Sequence, residues 1–157
     1  MSAPATLERA GIAARIPHSD AMCLLDRLLS WGTDEIVCVA ADHTSPAHPL
    51  RLEGVLSAAC ALEYASQAMA LHGALCEPAA GGPVPGFLAS ARGVQLHRRR
   101  LDDAPGPLRV RAQRIAGGAG QAMYAFELCD AHGHTLADGR ATVMFGTALA
   151  AAPERAP

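Results

Sequence analysis

The stretch that most constrains this chain runs from Gly54 to Cys76, Gly-Val-Leu-Ser-Ala-Ala-Cys-Ala-Leu-Glu-Tyr-Ala-Ser-Gln-Ala-Met-Ala-Leu-His-Gly-Ala-Leu-Cys. Nearly every side chain in it is small or apolar, so no polar stripe marks a solvent face. A helix that is apolar all round is either a buried helix or a membrane span. A span takes about 20 apolar residues with few or no ionisable groups. Glu63, Gln67 and His72 interrupt this stretch, which points to burial in a soluble fold. A carboxylate in the middle of a core helix then needs a reason to be there.

With 157 residues the chain holds one domain with a real core. Half of the residues are hydrophobic and 18% are charged, a composition that excludes disorder. A net charge of −2 and scarce aromatics argue against a nucleic-acid surface. Cys23, Cys38, Cys60, Cys76 and Cys129 are dispersed without CxxC spacing, the pattern of free thiols in a reducing cytoplasm. The N-terminus lacks a basic-then-apolar signal pattern, so a cytoplasmic location is expected. No internal repeat is evident.

Residues 1–14 read as an N-terminal arm, either a short helix or frayed, residues 15–147 as the domain, and residues 148–157 as a disordered Ala/Pro tail. Pro17 and the polar residues after it suggest a turn, and Met22 to Trp31 reads equally as helix or strand. Gly32-Thr-Asp34 signals a turn, and the β-branched run Glu35–Ala41 a strand. Asp42 to Glu53 is a loop holding His43 and His48, and the Pro/Gly-rich run 77–85 ends the helix. Gly86–His97 reads as a strand bent at Gly93. Leu108–Ile115 alternates apolar and polar residues, the mark of a sheet with one wet face. Gly117–Gly120 joins it to a strand at Gln121–Cys129, and a turn at Asp130–His134 leads to a last strand at Leu136–Phe145. The economical architecture is α+β: a curved antiparallel sheet wrapped around one long central helix. The sheet covers one side of that helix, and a partner subunit is the simplest second cover.

Glu63 leads the candidates for chemistry, because burial favours the proton-carrying form of a carboxyl group and such a group can serve as a general acid. An unrecognised exposed edge of the helix is the plainer explanation of it. His43 and His48 precede the helix and could place a base near Glu63, with backbone N–H groups near Gly54 open to a carbonyl oxygen. Either histidine is otherwise a solvated loop residue. Gly117–Gly120 lies between strands and is no phosphate loop. His132-Gly-His134 reads as a hairpin turn, and no metal-ligand set is evident. Arg98-Arg99-Arg100 is a short basic patch, ordinarily solvated, that could meet an acidic carrier protein. Ser57 and Ser66 lack a GxSxG context.

Ile16-Pro-His-Ser-Asp-Ala-Met-Cys-Leu-Leu-Asp-Arg27 resembles the opening motif of the β-hydroxyacyl-acyl-carrier-protein dehydratases. Gly54-Val-Leu56 and Glu63-x-x-x-Gln67 are similar to the start of that family's central helix and its Glu-x-x-x-Gln element. Residues 87–110 are similar to the strand–turn–strand after that helix, and Gly139–Phe145 to the family's last strand. Met22–Arg27, Pro49-Leu-Arg51 and the sequence around Glu63 resemble the branch found in aryl polyene pigment clusters. The resemblance implies a dimeric hotdog fold that needs neither cofactor nor metal. It implies loss of water from a 3-hydroxyacyl thioester on acyl carrier protein, giving a trans-2-enoyl product. A histidine would take the Cα proton, Glu63 would protonate the departing hydroxyl, and Gly54, Val55, Gln67, Gly86 and Phe87 would line the substrate site.

One departure matters. The family's Gly-His-Phe-Pro segment is absent, and residues 42–51 stand in its place with extra residues before Glu63. His43, at a strand end, is favoured as the base, whereas His48 has the spacing to Glu63 closer to the family's. The partner is a second copy or a hotdog paralogue. Two other readings stay open: a non-catalytic or weakly active hotdog subunit paired with an active dehydratase, and an acyl thioesterase on the same fold.

Overall fold

The structure is a computed structural model, which describes residues 3–17, 20–77, 86–118 and 120–145. The expected tail, most of the loop after the central helix, and His18 of the Pro17–His18 motif lie outside the described residues. No described helix is long and apolar enough to cross a membrane.

Among the described residues seven strands form one antiparallel sheet: β1 (Leu7–Glu8), β2 (Arg27–Trp31), β3 (Glu35–Ala40), β4 (Gly86–Leu96), β5 (Leu108–Gly118), β6 (Gln121–Cys129) and β7 (Thr135–Phe145). Their spatial order is β1-β2-β3-β5-β6-β7-β4, so β1 and β4 are the two edges. One long helix, α2 (Ala61–Cys76), lies against the concave face, and a short helix, α1 (Arg9–Ala13), comes directly after β1. The α+β architecture expected from the sequence is present.

Period-2 alternation decides which face is wet. Leu108, Val110 and Ala112 of β5 and Ala122, Tyr124, Phe126 and Leu128 of β6 are buried, while Arg109, Arg111, Gln113, Met123 and Glu127 point to the outer face. The inner row meets Tyr64, Ala65, Ala68, Met69, Leu71 and Leu75 of α2 in one core. Full burial of each large side chain there contributes roughly 1.5–3 kcal/mol. Gly73 lets α2 approach the sheet, because a Cβ there would stand 2.8 Å from the Phe145 ring.

Three local readings are settled or changed. Met22–Trp31 resolves into a 3₁₀ turn at Asp20–Met22 followed by β2, because Leu28 fills the core opposite Cys38 of β3. Residues 3–14 take the short-helix alternative, as α1, and are tied to the sheet: β1 pairs with β2, Ile12 is fully buried, and the Trp31 indole donates to the Pro4 carbonyl at 2.8 Å. The central helix begins at Ala61 rather than Gly54. Glu53 (φ 51°) and Gly54 (φ 79°) turn the chain in the left-handed region, and Leu52 and Val55 exchange backbone hydrogen bonds across that turn. Ser57 then caps a 3₁₀ turn at Ala58–Cys60 by accepting from Ala59 N–H at 3.2 Å, and that turn feeds α2.

The far half of α2 is clamped by a buried polar network. His72 is fully buried; its Nε2–H donates to the Gly32 carbonyl at 2.8 Å and its Nδ1 accepts from the Tyr124 hydroxyl at 2.7 Å. A carbonyl oxygen can only accept, which fixes the proton on Nε2. Burial pushes the His72 pKa down, so the ring stays neutral. The clamp joins the helix to the β2–β3 turn and to β6.

Candidate active site

Glu63 sits in the first turn of α2, half-buried, on the incompletely covered face that also carries Leu62, Ser66 and Ala70. The Gln67 side-chain nitrogen donates to Glu63 Oε1 at 3.1 Å. The i, i+4 spacing of Glu63 and Gln67 places them one above the other on the helix. Gln67 itself is fully buried and fully used: its Nε2 also donates to the Met22 carbonyl at 2.7 Å, and its Oε1 accepts from Leu24 N–H at 2.9 Å. Gln67 therefore fastens the 22–24 segment to α2 and orients the Glu63 carboxylate.

His48 is brought to the same helix. Its Nε2 bonds the Tyr64 hydroxyl at 3.0 Å and its Nδ1 accepts from Leu50 N–H at 3.1 Å. A nitrogen that accepts from an amide carries no proton, so the neutral ring holds its proton on Nε2 and donates to Tyr64. Burial, with the Arg51 charge nearby, pushes its pKa down and keeps it neutral. Both ring nitrogens are thus occupied.

His43 presents the opposite inventory. It lies in a 3₁₀ turn, Asp42–Thr44, at the end of β3 and is 1% exposed. Its Nε2 bonds the Ala104 carbonyl at 2.9 Å, which again fixes the proton on Nε2. Its Nδ1 lone pair is buried and has no partner among the described residues. Gly106 makes room for the ring, since a Cβ there would stand 2.4 Å from His43 Cε1. The ring borders a cleft of about 580 Å³ shared with Glu8, Asp26, Arg27, Val39 and Pro107. Glu8, Arg27 and Val39 belong to the outward row of β1, β2 and β3, so this cleft opens on the side of the sheet away from α2.

The loop between the two histidines is held by Arg51. Its guanidinium donates to the carbonyls of Ser45 at 2.7 Å, Thr44 at 3.0 Å and Gly54 at 2.8 Å, and to Asp102 at 3.2 Å. Asp102 also takes Leu56 N–H at 3.1 Å and the Arg100 guanidinium. The hydrogen bonds from Arg100 and Leu56 hold the Asp102 carboxyl well below the usual carboxylate range.

The backbone donors expected near Gly54 are not at a helix end. Val55 N–H bonds the Leu52 carbonyl and Leu56 N–H bonds Asp102, so neither is open to a substrate carbonyl. Gly86 lies beside Phe145 on the helix side of the sheet. Phe87 opposes Met144 and is 43% exposed on the outer face, apart from Glu63. The Arg98–Arg100 patch is largely neutralised, because Arg98 pairs with Asp103 at 2.5 Å and Arg100 with Asp102. His132 and His134 sit in the expected turn, where Asp130 Oδ1 accepts both backbone N–H groups, and no metal-binding cluster occurs among the described residues. All five cysteines are free, and burial raises the Cys38 thiol to about 12. Tyr64 and Asp102 were not singled out in the sequence. The lone tyrosine among the small residues of α2, next to Glu63, was the available signal; Asp102 gave none.

A family model described as "ApeP-like: ApeP dehydratase" matches residues 10–152. Among solved structures, the chain is similar to the dehydratase heterocomplex ApeI:P from Xenorhabdus doucetiae, with a TM-score of 0.70, 16% identity, and coverage of 85% of this chain and 90% of that one. It is also similar to the E. coli PaaI protein from the phenylacetic acid degradation operon (TM-score 0.55, 14% identity, 75% and 77% covered). A thioesterase from Haemophilus influenzae gives a TM-score of 0.54 at 18% identity, with 75% and 76% covered. At these identities the structural likeness shows the hotdog fold and no more. No curated protein matches the sequence.

Proposed function

Because the chain belongs to the ApeP-like dehydratase family, we propose that it removes water from a 3-hydroxyacyl thioester carried on acyl carrier protein, working as one half of a pair of hotdog chains. The observation that carries this reading is Glu63, a half-buried carboxyl group oriented by Gln67 on the incompletely covered face of the central helix. Glu63 gives its proton to the C3 hydroxyl, which leaves as water. The electron pair of the Cα–H bond becomes the new double bond, and a base takes the proton. Return of that proton from base to carboxylate resets the site.

His43 is the better base of the two histidines, because its Nδ1 lone pair is unpartnered while both nitrogens of His48 are spent. Gly106 packs against the Cε1 edge of the ring, and substrate would reach the buried Nδ1 from the adjoining cleft. His48 holds the loop to Tyr64. Since His43 faces away from Glu63 within one chain, the acid of one chain meets the base of the other. The solved heterocomplex named above supports a hotdog paralogue as the second chain.

The test follows enoyl formation and free thiol release on a 3-hydroxyacyl carrier substrate, with the chain alone and with a co-expressed hotdog paralogue. Glu63→Gln and His43→Ala are each expected to lower dehydration by about 10²–10⁴-fold, the range of a general acid–base step. His48→Ala is expected to keep turnover within about tenfold and to melt earlier. Full activity in both Glu63→Gln and His43→Ala sinks the assignment, and thiol release without enoyl product would favour a thioesterase.

A further inference from the structure

The two edges of the sheet are unlike. β1 has two residues, whereas β4 has 11 and pairs on one side only among the described residues. Long open edges are templates for strand addition, and proteins manage them with charge. On β4 the charge is Arg92, directly opposed by Arg140 of β7 on the outer face. Both are exposed, and neither makes a hydrogen bond or ion pair among the described residues. Like charges directly opposite on a ladder are destabilising, so the pair calls for an anionic neighbour.

Two carboxylates stand near Arg140 on this face, Asp138 two residues along β7 and Glu127 diagonally across on β6, but neither forms an ion pair with Arg92 or Arg140 among the described residues. Arg92 and Arg140 border an open groove of about 590 Å³ with Ser90, Thr142, Met123 and Asp138. The one carboxylate there, Asp138, is held by His97 Nε2 at 2.6 Å. Farther across the outer face, Glu35 is taken by Arg111 at 3.0 Å. Glu127, diagonal to Arg140, faces Arg111 across the β5–β6 ladder and accepts from Cys129 Sγ, and it lies two strands from Arg92.

Ala91 is the midpoint of β4, with five residues on each side, 86–90 and 92–96. Antiparallel pairing of the full strand with a second copy would put Arg92 opposite Ser90 of that copy. The two Arg92 side chains then share the outer face as diagonal neighbours about 7–8 Å apart. Each is flanked by its own Arg140, which makes a row of four unpaired guanidinium groups across the seam. A different chain whose edge strand carries carboxylates would neutralise the same row.

We infer that the Arg92–Arg140 pair is a pairing-specificity device: it weakens self-association through β4 and selects a hotdog partner with an acidic edge strand. This rests on the paired-chain reading above, but its test reads assembly and not turnover. If Glu63→Gln left activity intact, the inference would stand.

The probe is the protein itself. Self-association of the wild type is measured by sedimentation at about 0.01 M and about 1 M salt, where the screening length falls from about 30 Å to about 3 Å. Wild-type pairing is expected to be about tenfold or more weaker at low salt. An Arg92→Ser, Arg140→Ser double variant should lose that salt dependence and self-associate at low salt. A differently tagged Arg92→Glu, Arg140→Glu variant mixed with wild type should form one-to-one pairs in preference to either self-pair, most clearly at low salt. All four substitutions are at exposed positions, and circular dichroism reports whether the fold is kept. Equal wild-type association at both salts, random mixing with the Glu variant, or no association in any sample would each overturn the inference.

Discussion

Replacing Gln67 by leucine isolates what this buried amide does. Leucine has similar bulk and fills the site without a void, so the loss is in hydrogen bonds. Leu24 N–H, a fully buried donor, loses its acceptor at 2.9 Å, and the Met22 carbonyl, partly buried, loses its donor at 2.7 Å. A buried donor left unsatisfied costs about 1–3 kcal/mol, and a typical partly exposed bond about 0.5–1.5 kcal/mol, or about 1.5–4.5 kcal/mol together. For a domain of this length each kcal/mol moves Tm by about 2–4 °C, so the midpoint should fall by about 3–18 °C. Calorimetry of Gln67→Leu beside wild type at pH 7.5 measures it. Gln67→Glu keeps an acceptor for Leu24 N–H but sets a second carboxylate against Glu63, and should lose stability more steeply as pH rises. A Gln67→Leu midpoint within about 1 °C of wild type would refute the account of Gln67 as the fastener of the 22–24 segment.

Other outcomes rest on the same contacts. His72 has a folded pKa below its unfolded value of 6.5, so its contribution is complete above about pH 6.5 and is lost as pH falls below that, when the unfolded chain takes up a proton the folded chain refuses. Urea midpoints should therefore drop from pH 7.5 to pH 5, and His72→Gln should be less stable at pH 7.5 with a shallower decline. Gly106→Ala drives a Cβ to 2.4 Å from His43 Cε1; an overpacking cost of about 1–3 kcal/mol is expected by chemical denaturation. Asp102→Ala unties Arg51, Arg100 and Leu56 together, and should lower the urea midpoint more than Asp103→Ala, which breaks one ion pair among the described residues, that to Arg98.

Periodicity was the legible part of the sequence. The alternation in 108–115 and 121–129 gave the strands and their wet face, and the all-round apolarity of 61–76, broken at Glu63, Gln67 and His72, gave the buried helix, because those patterns are set by solvent. The helix start was misplaced by seven positions (54 to 61) because Gly54–Ser57 are as apolar as the helix itself. Only the left-handed backbone at Glu53–Gly54 and the Ser57 cap distinguish them. Ile12 looks like an arm residue until β1 and β2 pair to bring it inside, a contact made across the chain. The histidines show the same limit from the chemical side. Spacing ranked His43 and His48 but could not see that one ring is saturated by Tyr64 and Leu50 while the other keeps a bare nitrogen. The Arg98–Arg100 run looked basic, and two of its three arginines are paired with Asp102 and Asp103, close by in sequence yet not assignable as partners without the turn.

The unequal edges of the sheet bear on how large an assembly this protein can build. Growth by strand addition needs two extendable ends on every unit, as in a fibre. Here one end is stopped by the two-residue β1, with α1 directly after it, and among the described residues only β4 offers a run long enough to extend. A unit with a single live end terminates whatever it joins. Once β4 is occupied, the described residues offer no second long edge, so strand addition between copies would end at the first pairing and could not run on into a fibre.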